Sequence, residues 1–162
     1  MATRIYLPAT LAQVRAAQPG EQVPTLLGHA VTGQLRTETA GEDYQDEELE
    51  YLAQLAAAAE SLEFIAADPQ APQLRVVLSA DVPDDVLGAR SAAGSQQEGL
   101  AASAVELTQP VAWSKVVCAH VDEVASAGLV AQVLAGADAA LEELFEQDLL
   151  WWDATEFGVI PG

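Results

Sequence analysis

A chain of 162 residues has room for one domain, 1–162, with its own core. Hydrophobic residues make up 51% and charged residues 19%, a balance too apolar for a disordered chain. The formal charge of −19 sets the surface against nucleic-acid phosphates and anionic lipid head groups, so neither nucleic acid nor membrane is an expected partner.

The first strand is predicted at Arg4-Ile5-Tyr6-Leu7-Pro8, where aromatic and β-branched residues fit a pleated surface and Pro8 ends it. Thr10 and Gln13 have the spacing of a capping box, so a helix should follow and stop at Pro19-Gly20. Residues 18–34 read as loop, with a brief strand at His29 to Thr32. The strongest helix runs from Asp46 to Ala67, with Leu52, Leu55, Ala59, Leu62 and Ala66 as its apolar stripe. Asp46, Glu47 and Glu48 lie in its first turn, where the helix dipole favours negative charge, and Asp68-Pro69 ends it.

Arg75 to Ala80 has the pattern of a buried strand, and Asp81 to Gly88 that of a turn or short helical piece. A flexible loop is expected near 88–103, where Gly, Ser, Ala and Gln dominate. A small strand at Val105 to Leu107 and a central strand at Lys115 to Val121 follow. Asp122 is placed to cap a helix reaching Ala135, with Gly136 as its stop, and Asp138 to cap another reaching Gln147. Leu149-Leu150-Trp151-Trp152 reads as the last strand. This order implies an α+β fold: a small mixed or antiparallel sheet with helices on one side, in a ferredoxin-like arrangement with insertions.

Charge is unevenly distributed. Before Glu42 the acids Glu21 and Glu38 face Arg4, Arg15 and Arg36; every other acid lies from Glu42 onward, against Arg75, Arg90 and Lys115. The acidic run 42–50 lacks the mid-loop glycine and alternating acids of a calcium loop, and reads as a solvated helix start. Gly28 to Gly33 has the glycine spacing of a phosphate loop, but Gln34 and Leu35 stand where lysine and a hydroxyl are needed. No cofactor motif is present. Cys118 is the only cysteine, so no internal disulfide can form, which fits a reducing cytoplasm. No apolar run reaches the ~20 residues of a membrane span.

Cys118, His120 and Asp122 alternate along one strand and so share a face. Thiol, imidazole and carboxylate are the parts of a nucleophilic site, but same-face neighbours lie roughly 6.6 Å apart along a strand, beyond direct bonding unless the side chains tilt. The favoured reading makes Cys118 a core residue, His120 a half-buried polar group and Asp122 a cap. With one further histidine, His29, and no second cysteine, no metal site is expected. Tyr6, Asp81, His120 and Asp122, near strand ends, form a candidate polar site. Arg4, on the face of Tyr6, reads as an ion-pair partner. Trp151 and Trp152 must point to opposite faces of their strand, so one ring needs a second cover. That cover is a loop, a helix or a partner subunit; internal packing of both rings is the favoured reading, and with Trp113 they are the candidate interaction residues for a homodimer or a protein partner.

Arg4-Ile5-Tyr6-Leu7-Pro8-Ala9-Thr10, Glu48-Leu49-Glu50-Tyr51, His120-Val121-Asp122 and Leu149-Leu150-Trp151-Trp152 resemble an uncharacterised family of small, acidic, alanine-rich actinobacterial proteins. The resemblance spans nearly the whole chain except the Gly/Ser/Gln-rich stretch 91–103. That family has no assigned function, so it implies no activity, cofactor or catalytic residue. The expectation is a cytoplasmic, non-enzymatic interaction or regulatory module; the alternative is a small enzyme whose polar residues converge in a pocket.

Overall fold

A computed structural model describes residues 1–89 and 101–162. The first strand, β1 (Ala2–Ala9), is buried on both faces from Ile5 onward, as befits a strand inside a sheet. Thr10 then caps α1 (Leu11–Ala16) by the expected box: its Oγ1 accepts from the Gln13 amide at 3.2 Å and its own amide donates to Gln13 Oε1 at 3.0 Å. The brief second strand, β2 (Leu27–His29), ends where the sequence reading began it. Thr32 caps the short α2 (Gly33–Glu38), whose first two residues fall in the stretch expected as loop.

The long helix α3 (Asp46–Ala67) has the expected bounds but a different buried face. Leu49, Ala53, Ala57, Ala58, Ser61, Leu62 and Ile65 are buried; of the expected stripe only Leu62 is among them. Small alanines let the helix lie close on the sheet, where leucines would hold it off. Ser61 then joins two strands by one hydroxyl. It donates to the Ala9 carbonyl at 2.7 Å and accepts from the Val76 amide at 3.0 Å. An amphipathic count sees only apolar size and misses both effects.

After α3 come β3 (Val76–Pro83), β4 (Leu87–Ala89), β5 (Ala104–Leu107) and β6 (Val116–Val121). Most of the stretch expected as a loop near 88–103 lies outside the described residues; Gly88 and Ala89 belong to β4, and Ser103 is buried. A 3-10 turn at Val124–Ser126 leads into α4 (Ala127–Leu134), followed by α5 (Asp138–Phe145) and β7 (Leu150–Asp153). Asp122 and Asp138 are not the caps: Asp122 is engaged elsewhere, and Asp138 lies one residue inside its helix.

The strands form one antiparallel sheet in the order β4-β5-β2-β1-β3-β6-β7, an α+β fold. Eight register pairs, from Ala2↔Pro83 to Ala9↔Val76, join β1 to β3. Along β1-β3-β6-β7, space follows chain order, which differs from the interleaved strands of a ferredoxin-like sheet. One face carries Ile5, Leu7, Val76, Leu78, Ala119 and Val121 against Leu11, Val14, Val23, Trp113 and Ile160. On the opposite face Tyr6 and Val77 meet Ala53, Ala57 and Ala58 of α3. Val130 of α4 and Leu144 of α5 extend that layer against Leu62 and Ile65. The long helices therefore share one side, while α1 adds to the other.

Candidate functional site

Period-two alternation brings a polar strip to the α3 face of the sheet. Register sets Arg4 opposite Asp81, Tyr6 opposite Ser79, and Ser79 opposite Cys118. His120 is the register partner of Trp151 in β7. A bulge opposite Ser79 and Ala80 leaves Val117 exposed. Helix α3 packs chiefly on β1, β2 and β3, so it does not shield the outer strands in the same way.

Arg4 holds Asp81 with two bonds, Nε to Oδ1 at 2.7 Å and Nη2 to Oδ2 at 3.1 Å. This is the ion pair expected for Arg4. The bond raises the Arg4 pKa and holds the Asp81 carboxyl below its ordinary value. Burial, with Glu50 nearby, pushes the Tyr6 phenol up to about 12. Burial also lowers the His120 pKa, and the Arg4 charge acts in the same direction. His120 Nε2 lies 3.0 Å from Ser79 Oγ and 3.7 Å from Cys118 Sγ. The latter approach is closer than strand spacing alone allows, and meets the condition that the side chains tilt.

Asp122 does not join them. It sits at the end of β6 and grips Arg75, with Oδ2 accepting from Arg75 Nε at 2.9 Å and Oδ1 from Nη2 at 2.8 Å. Oδ2 also accepts from the Arg75 amide at 2.8 Å, and Nη2 donates on to the Leu144 carbonyl at 3.2 Å. The pair is buried and ties β3, β6 and the end of α5 together. So the thiol and imidazole have no orienting aspartate, and Cys118 and Ser79 are closed to a substrate. Tyr6, Asp81 and His120 share a face, but none of the described clefts is lined by two of them. One cleft of about 720 Å³ is lined by Asp81 with Val82, Pro83 and Lys115; another of about 250 Å³ by Arg4, Arg36, Asp46 and Glu50.

One further polar chain escaped the sequence reading. His29 Nδ1 lies 2.9 Å from Ser103 Oγ and Nε2 lies 2.7 Å from Glu60 Oε1. Serine, histidine and carboxylate in line suggest nucleophilic catalysis. Ser103 is only 2% exposed and His29 3%, so the chain acts as a strut between β2, α3 and the start of β5. Its members are too far apart in sequence for any spacing rule to find them. Among the described residues no three His, Cys, Asp or Glu side chains are grouped to hold a metal ion.

The tryptophans divide as the pleat requires. Trp152 packs into the core with Trp113 and Phe157. Trp151 points to the α3 face and is 58% exposed, with Leu150 at 40%. Strand β7 is a sheet edge; it ends on Asp153 and has Asp148 before it and Glu156 after it in sequence. The Asp153 amide turns away from β6 and donates to Glu156 Oε1 at 3.0 Å. Alternation then directs the amide and carbonyl of Trp151 to the open edge as well.

No helix among the described residues is long and apolar enough to cross a membrane. Neither a curated protein nor a solved structure matches the chain. A family model does match, over residues 3–160, and by that match the chain belongs to the family of unknown function DUF6912.

Proposed function

We propose that this protein is a non-enzymatic binding module that engages a protein partner through the β7 edge. One observation carries the reading: Trp151 projects a largely exposed indole from an edge strand. Tryptophan concentrates binding energy, and an uncovered edge offers backbone groups for pairing. The polar residues support the enzyme alternative less well, because Tyr6, Asp81 and His120 share none of the clefts among the described residues and Asp122 is committed to Arg75. Trp113 and Trp152 support the surface from beneath rather than meeting the partner. A charge of −19 on each copy opposes a homodimer and favours a partner of opposite sign. In this reading the family comprises small, acidic, alanine-rich actinobacterial proteins of the cytoplasm, where Cys118 stays reduced.

A photoreactive amino acid at position 151, compared with one at the exposed Val159, tests the reading in the producing cells. A cross-link to one defined protein from position 151 and not from 159 is the expected result. No position-specific product, or only a self-cross-link between two copies, would overturn it.

A further inference from the structure

Resting on the binding-module reading, we infer that the partner joins the sheet as an additional strand on β7 and that its segment is basic. Three observations converge. The strand has one open side, where the Trp151 amide and carbonyl are directed outward by the pleat. Carboxylates neighbour the strand in sequence: Asp148 before it, Asp153 at its end, whose Oδ2 accepts from the Thr155 amide and hydroxyl, and Glu156 just beyond, whose Oε1 accepts from the Asp153 amide. Asp153 shares the face of Trp151, two positions along, because side chains alternate.

These positions define the incoming sequence. An extended segment pairs its own amide and carbonyl with those of Trp151. The residue opposite Trp151 packs on the indole. The residue two positions away, on the same face, lies opposite Asp153 and carries a guanidinium or ammonium group. An arginine opposite Trp151 is also accommodated, because a cation is attracted to the indole face. The segment is short, since β7 has four residues. A second copy of this chain is a poor occupant, because it would bring its own carboxylates to the same place.

The full chain, labelled with ¹⁵N, is titrated with synthetic peptides that alternate arginine and valine. Two further versions carry N-methyl groups on one or the other set of alternate amides, and a fourth has glutamate for arginine. The expected result is binding with amide shifts at Leu150 to Asp153, weaker at higher salt. N-methylation of one set should weaken it about tenfold while the other set has little effect, because only one edge of an added strand pairs with β7. The glutamate peptide should not bind. Equal binding by both N-methylated forms, shifts centred elsewhere, or failure of the arginine peptide would overturn strand addition by a basic segment. A position-151 cross-link to a partner through an acidic or helical segment would overturn this inference while sparing the module itself; absence of any such cross-link would instead remove the module.

Discussion

Replacing Asp122 with alanine should destabilise the protein severely, although the residue lines none of the described clefts. The wild-type carboxylate accepts from the Arg75 amide, Nε and Nη2, and the two side chains are 1% and 0% exposed. Removing it strands a buried guanidinium and a buried backbone amide. Breaking a buried pair from one side costs about 3–5 kcal/mol. A domain of this size has a total stability of roughly 5–15 kcal/mol, so Asp122→Ala should lower the melting temperature by on the order of 10 °C. Urea unfolding followed by circular dichroism gives the free energy and shows from the slope whether the transition remains two-state. The double variant Arg75→Met, Asp122→Leu should recover part of the loss, because both charges go together. It should not recover all of it, since the Arg75 backbone amide still lacks its acceptor, at about 1–3 kcal/mol. A loss below about 1 kcal/mol for Asp122→Ala, or a double variant no better than the single, would refute this account of the pair.

The His120 imidazole should titrate below its usual 6.5 in an NMR pH series, because burial and the Arg4 charge disfavour its cation. A lowered folded pKa means the unfolded chain binds the proton first. Stability is therefore fully present above about 6.5 and falls as pH drops from there towards the folded value, a decline that His120→Gln should flatten; a pKa at or above 6.5 would contradict the burial argument. Gly28→Ala should cost about 1–3 kcal/mol, because its new Cβ would lie 3.0 Å from Leu7 Cδ2 and 3.3 Å from the Tyr6 carbonyl oxygen; an unchanged urea midpoint would show that Leu7 moves aside freely.

The local signals were legible. Thr10 and Gln13 announced α1, Asp68-Pro69 closed α3, and the apolar runs declared β3 a buried strand and β6 one inside the sheet. The opposed directions of Trp151 and Trp152 also follow from the pleat alone. What stayed hidden depends on contacts between distant segments. Arg75 and Asp122 are separated by 47 residues, and His29 and Ser103 by 74, so neither bond leaves a trace in spacing. The buried face of α3 was misread because leucine was weighted above alanine, whereas close helix–sheet contact selects the smaller side chain. Backbone rise alone keeps Cys118 and His120 apart, and only the folded chain shows the side-chain tilt that brings Sγ and Nε2 to 3.7 Å.

The two hydrogen bonds of the Ser61 hydroxyl limit how this protein can be lengthened. One added residue between Ala57 and Ser61 would turn the preceding part of α3 by about 100° relative to the rest. Either Ser61 would leave the ends of β1 and β3, or Ala53 and Ala57 would swing off the sheet and bulkier side chains would take their place. Surface turns can absorb insertions without such a choice. Here the helix behaves like a key cut to a fixed length, and a fused tag or grafted epitope belongs anywhere but inside it.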